Sequence, residues 1–187
     1  NHPPLGFDHE GEPTTYYSCP SPFGIPYRCL YSVNIENLMF AGRNISVTHA
    51  AMAASRVMAT CAVLGQAAGT AAHIAAAKKI SPKMVGNYIR ELQKILMDDD
   101  CWLPGLKREI SESCKGADLY AECGNADNLR NGIDRPTDAD GDNGCYIKKG
   151  SKITYSFKSP NYISSVRIIF DSDLNRETVT GGIPQVK

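Results

Sequence analysis

The stretch that most constrains this chain runs from Arg56 to Ala77. Alanine, glycine, threonine and cysteine stand there at positions where core helices usually carry leucine or isoleucine. Alanine is the strongest helix former, so the run predicts a helix from roughly Arg56 to Ala77. Its side chains are too small to build a thick core. They instead let the helix backbone approach a sheet or another helix closely. Just upstream, Asn37-Leu38-Met39-Phe40-Ala41 is apolar on both faces and closes on Gly42, which predicts a short strand buried on both sides. Strand, glycine turn and close-packing helix in succession make a corner of an α/β fold.

The small-residue run does not read as a membrane span. Arg56, Gln66 and His73 interrupt it, and alanine is only weakly apolar on insertion scales. Gly65-Gln66-Ala67-Ala68-Gly69 matches G-x-x-x-G, but that signal needs a strongly apolar host.

A second helix is predicted after it. Ser81 can cap it, Pro82 suits its first turn, and Val85, Tyr88, Leu92, Ile95 and Leu96 share one face, with an end near Met97. Asp98-Asp99-Asp100 would oppose the helix dipole and read as a solvated turn. Trp102-Leu103-Pro104-Gly105 reads as a turn with an apolar anchor. Residues 1–30, rich in Pro, Gly, Ser and Tyr, read as irregular chain.

The 187 residues suffice for one domain or two small ones, and 42% hydrophobic residues support a globular core. Lys+Arg and Asp+Glu balance at 20 each, so charge gives no case for nucleic acid or an anionic membrane as partner. Asn1-His2-Pro3-Pro4 is not a signal peptide, and the expectation is a piece of a longer polypeptide. Seven cysteines leave at least one unpaired within the chain, and no C-x-x-C occurs. Cys19/Cys29 and Cys101/Cys114 are candidate disulfides, against the reading of reduced, buried thiols. Spacing does not choose between them, and the redox compartment stays open.

From about Lys115 the character changes: Asn, Asp and Gly rise. Ile153-Thr154-Tyr155-Ser156-Phe157 alternates apolar and polar, and Val166-Arg167-Ile168-Ile169-Phe170 is β-branched and aromatic, with a turn at Ser159-Pro160-Asn161. This predicts a second, all-β segment, part of a sandwich, with a boundary near residues 111–118. Asp138-Ala139-Asp140-Gly141-Asp142-Asn143-Gly144 alternates aspartates as a calcium loop does. Asn143 stands where an EF-hand needs glycine, however, and Lys149 where it needs glutamate. The reading is a solvated acidic turn, with a calcium loop as the alternative, and no metal ligand is assigned.

One linked series of residues is more specific than any isolated motif. It comprises Ile25-Pro26-Tyr27-Arg28-Cys29-Leu30, Asn34-Ile35-Glu36-Asn37-Leu38, Ala41-Gly42-Arg43-Asn44-Ile45-Ser46, Thr48-His49, Ser55-Arg56-Val57-Met58, Thr60-Cys61 and Leu64-Gly65-Gln66-Ala67-Ala68-Gly69-Thr70-Ala71-Ala72. Over roughly residues 20–105 it resembles the FAD-dependent oxidoreductases of the glutathione-reductase superfold, and within them a bacterial, xanthan-lyase-like branch. The resemblance implies that residues 1–110 are the C-terminal part of a Rossmann-like FAD/NAD(P)-binding fold. It implies FAD as cofactor and hydride transfer between a small-molecule, carbohydrate-related substrate and flavin N5.

Carried over, the resemblance places Gly42, Arg43 and Asn44 along the ribityl and phosphates, and Arg56, Val57 and Met58 beside the flavin. The start of the small-residue helix would then face the N1/O2 edge. Many relatives in the superfold carry an acidic residue where Arg43 stands, and an arginine there would pair with phosphate or an acid. His49 is the candidate proton donor or substrate contact, against a histidine that fixes its loop. Arg28 would orient an anionic substrate, or form a structural ion pair. Cys61 reads as small packing inside the helix. Asn44-Ile45-Ser46 matches a glycosylation sequon that a loop packed on a cofactor would not present.

The G-x-G-x-x-G that holds the ADP half of FAD is absent from the sequence. The implied partner is therefore the remainder of its own polypeptide, an N-terminal FAD-binding half. Residues 115–187 resemble galactose-binding-like jelly rolls, through Asn128-Leu129-Arg130-Asn131-Gly132-Ile133-Asp134-Arg135-Pro136 and the two strand patterns. That resemblance implies an incomplete jelly roll and a glycan partner. It leaves open a non-catalytic carbohydrate-binding or interaction module, and a structural cover for the core. Relatives in the branch are often exported, which makes a periplasmic or extracellular setting an analogy only.

Overall fold

The computed structural model describes residues 22–135 and 143–170. The chain forms two compact units that divide between Arg108 and Glu109. The calls on residues 1–21, on Cys19 and on Asp138–Asp142 lie outside the described residues.

The first unit is helical. Helix α1 spans His49–Ser55 and α2 spans Met58–Lys78. Thr48 caps α1, its Oγ1 accepting from the Ala51 amide at 3.3 Å. The chain bends by 98° between the two helices. A separate short helix thus precedes the small-residue run, with Arg56 and Val57 as the hinge pair. No single helix among the described residues is long and apolar enough to cross a membrane.

Helix α2 buries Leu64, Ala68, Ala71, Ile74 and Ala75, a stripe at helical spacing. Its end is set by Lys79 in the left-handed conformation at φ 55°, after which the Ile80 amide donates to the Ala75 carbonyl at 2.9 Å. A 3-10 helix, Pro82–Tyr88, leads into α3, Ile89–Asp98. Ser81 stands at the start but makes no side-chain capping bond, and Tyr88 is exposed. Within 3-10 geometry the predicted face loses its register, and only Val85, Leu92 and Leu96 of it are fully buried.

The main core joins Ala71, Ile74 and Ala75 of α2 to Val85, Leu92, Leu96 and Cys101. Alanines at the contact let α2 lie close to these neighbours, as their size requires. Lys78 ties the edge, with Nζ 3.1 Å from Glu91 and 4.5 Å from the Tyr88 ring centroid. Asp98 ends α3 rather than lying beyond it. It is held by Lys94 at 2.6 Å and Arg108 at 2.8 Å, while Asp99 and Asp100 face solvent.

The strand expected at residues 37–41 is not formed. Met39 makes an isolated bridge to Tyr31, and Phe40 donates to the Leu30 carbonyl at 2.8 Å. Leu38 and Ala41 are exposed. The segment bonds along one side only, to residues 30–32, so two-sided burial cannot arise. It packs instead over a small second cluster of Leu30, Ile45 and Leu64. Among the described residues this unit contains helices and one bridge, not the parallel sheet of a Rossmann-like fold.

In the second unit, Ser111 caps the single-turn helix α4, Glu112–Lys115. Strand β1, Asp118–Ala121, pairs antiparallel with β2, Ile153–Ser156, in the register Leu119 opposite Tyr155. Arg130, at the end of a 3-10 helix Ala126–Arg130, donates from Nη1 to the carbonyls of Cys114, Lys115 and Ala117, the last at 2.6 Å. Its Nε donates to Asp127 at 2.9 Å. Asn143 hydrogen-bonds the side chain of Asn131 and the Ile133 carbonyl.

Three expectations fail here. Val166–Phe170 is exposed chain without strand structure, because the two-stranded sheet offers no second layer to bury it. No jelly roll is formed among the described residues. The disulfide is Cys123–Cys145, a pairing the spacing did not suggest, while Cys29, Cys61, Cys101 and Cys114 are free thiols. The Cys101/Cys114 pairing is therefore overturned: Cys101 is spent on the apolar core.

Candidate functional site: the corner before α2

Gly42 adopts φ +89°, a conformation that L side chains rarely take. A Cβ built there would lie 3.7 Å from the Cys61 Cβ and 3.9 Å from its Sγ. The turn thus packs on the first turn of α2 through Cys61, and the glycine is required by backbone conformation rather than by lack of space. Ile45 anchors the far side of the turn in the core, and the Ser46 amide donates to the Cys29 carbonyl at 2.9 Å. Arg43 and Asn44, between these two fixed points, are exposed.

The bend that aims α2 is built locally. Ser55 is buried, and its Oγ donates to the Ala51 carbonyl at 3.0 Å. The Arg56 amide closes α1 on the Met52 carbonyl at 3.1 Å. The Ser55 carbonyl faces the Cys61 thiol at 3.9 Å. Val57 is the N-cap of α2 and offers no side-chain oxygen, so no side chain caps this helix. Neither α1 nor α2 carries an acidic residue in its first turn. The positive end of this 21-residue helix therefore has no side-chain cap and no acid in its own first turn. Val57 is half-exposed and Met58 is 90% exposed beside it.

The structure brings Gly42 and the start of α2 together, with Arg43 and Asn44 following the glycine and Arg56, Val57 and Met58 forming the bend. Arg28 lies on the 3-10 helix Tyr27–Leu30, whose Cys29 is bonded to Ser46 of the same loop. His49 is exposed at the first position of α1. Cys61 packs inside the helix, as expected from the sequence, and its contact is Gly42; two contributors escaped sequence reasoning, Thr48 and Ser55. Thr48 before an alanine-rich run is an N-cap signal that would have revealed α1. Ser55 carries no such signal, since its role depends on the bend.

Beneath the corner, the Tyr27 hydroxyl donates to the Pro82 carbonyl at 2.6 Å. Burial, with the neighbouring Tyr31, pushes the Tyr27 phenol up to about 12. No group of His, Cys, Asp and Glu suited to a metal ion occurs among the described residues.

The residues at the corner fit an anionic, extended group. A positive-φ glycine gives backbone access, a long helix starts without a side-chain cap, and the chain carries Arg43 next to that glycine and Arg56 just before that helix. No curated protein and no solved structure gives a significant match to the chain. The family model described as FAD dependent oxidoreductase matches residues 2–96, just over half of the chain, and includes the whole corner. The chain belongs to the FAD-dependent oxidoreductase family.

Proposed function

We propose that this chain supplies the flavin-facing corner of an FAD-dependent oxidoreductase. The observation that carries the reading is Gly42 in its left-handed conformation, packed on the first turn of an uncapped α2. When bound, FAD supplies the nitrogen, N5, to which hydride is transferred from a substrate carbon. The amides that open α2 hold the electron-rich N1/O2 edge through the helix dipole. Gly42 admits the cofactor backbone-close, Arg43 pairs with phosphate, and Asn44 hydrogen-bonds the ribityl chain. Arg56, Val57 and Met58 flank the ring, with Val57 and Met58 excluding water. His49 takes or gives the substrate proton and Arg28 orients an anionic substrate group.

The ADP half of the cofactor is held by a G-x-G-x-x-G segment elsewhere in the polypeptide. The substrate stays at the level of a small molecule, with carbohydrate-related compounds as the first class to screen.

Flavin absorbance of the natural polypeptide, with and without Gly42→Val, tests the corner. Loss of bound flavin in a folded variant supports it, and undiminished flavin removes Gly42 from the site. Stoichiometric flavin on the purified 187-residue chain would instead sink the two-part reading.

A further inference from the structure

Among its described residues the second unit has almost no core. Among its described residues Ala117 is the one buried apolar side chain, while Tyr120, Tyr146, Ile153, Tyr162, Val166, Ile168 and Phe170 are exposed. A unit of this size cannot be held by so little apolar burial. What holds it is polar and covalent. Arg130 gathers three carbonyls around α4 and β1. Asn128 donates to the Gly144 carbonyl at 2.9 Å, and Ser151 donates to Glu122 at 2.8 Å. The Cys123–Cys145 disulfide joins residues 22 positions apart, between the end of β1 and the strand-bearing segment that follows. Each of those polar bonds has a water-bonded alternative in the unfolded chain. The disulfide has none until it is reduced.

We propose that Cys123–Cys145 is a redox latch: its reduction releases the fold of the second unit, described over residues 109–135 and 143–170, while the first unit persists. Both cysteines are half-buried and so open to small thiols. A dithiol breaks the one S–S bond. Two electrons and two protons pass to the sulfurs, leaving two thiols, and the dithiol becomes its own cyclic disulfide. The first unit has a separate core of Ala71, Ile74, Val85, Leu92, Leu96 and Cys101, with no disulfide among its described residues. The proposal does not depend on the flavin reading, since none of its residues belongs to the corner.

The experiment is hydrogen exchange on the full chain, air-oxidised and then treated with dithiothreitol, with alkylation mapping in both states. Mapping of the oxidised chain should find Cys123 and Cys145 protected from alkylation. Reduction should lower amide protection across β1 and β2 by on the order of a hundredfold, the effect of opening a loop of this length. Protection in α2 and α3 should stay unchanged, and reoxidation should restore the strands. Cys123→Ser with Cys145→Ser should match the reduced state and ignore the dithiol. Alkylation of either cysteine before reduction would overturn the proposal. So would unchanged β1–β2 protection, equal loss in α2 and α3, or failure of reoxidation to restore the strands.

Discussion

The Tyr27 hydroxyl donates to the Pro82 carbonyl at 2.6 Å across 55 residues of sequence, tying the 3-10 helix before the glycine corner to the one that precedes α3. Burial raises this phenol to about 12, above its unfolded value near 10. The folded chain therefore keeps the proton longer than the unfolded one. The contribution is complete below pH 10 and is lost as pH rises from 10 to about 12. Tyr27→Phe should cost about 1 kcal/mol at neutral pH. Urea melts of the two proteins should converge across that alkaline window. A constant gap at every pH would remove the hydrogen bond from the account.

Gly42 offers a cleaner separation of strain from crowding. A Cβ there meets Cys61 only at ordinary contact distance, so Gly42→Ala pays chiefly for its positive φ. The expected loss is about 1–2 kcal/mol by thermal or urea melts. Gly42→Asn, better suited to that region, should lose less. Equal losses for the two variants would point to crowding and contradict the geometry.

Arg108 is 13% exposed and bonds both Asp98 and the Met97 carbonyl, the latter at 2.5 Å. Asp98 is held below its ordinary value, first by the hydrogen bond from Lys94, with Arg108 adding to it and burial opposing. A depressed carboxylate contributes above its unfolded value and loses that contribution as pH falls through the folded one. Arg108→Met should cost about 1–3 kcal/mol at pH 7. The difference from wild type should shrink in acid below pH 3.8, the unfolded reference of Asp98. An undiminished difference there would assign the whole effect to the Met97 carbonyl.

Ala71 is fully buried where α2 meets the core. Ala71→Leu should destabilise by about 1–3 kcal/mol through overpacking. Ala62→Leu, on the exposed side of α2, should leave the melt of this chain within about 0.5 kcal/mol. If the two cost the same, close approach is not what the small residues provide.

Helical stretches were legible because their signals are local. The run read from Arg56 to Ala77 matches α2, Met58–Lys78, to within two residues at each end, and Val85, Leu92 and Leu96 of the face read as apolar lie in the core. The strand at 37–41 and that at 166–170 were not legible. Both are apolar enough to be strands, but a strand is completed by a neighbour, and neither sequence says whether one is present. The same holds for cysteine pairing. Cys101 and Cys114 are closer in sequence than Cys123 and Cys145, yet the latter pair is bonded and the former two are free thiols.

By itself the sequence determined that a small-residue helix follows a glycine turn, because helix propensity and the need for positive φ are properties of residues and their nearest neighbours. The linked motifs around that turn also carried the oxidoreductase resemblance, and the family match over residues 2–96 agrees with it. Only the tertiary structure decided that the chain bends by 98° between α1 and α2, that Cys61 seats Gly42 on α2, and that Cys123 finds Cys145. Those are relations between segments. They depend on which surfaces become buried together, and that is a free energy of the whole fold.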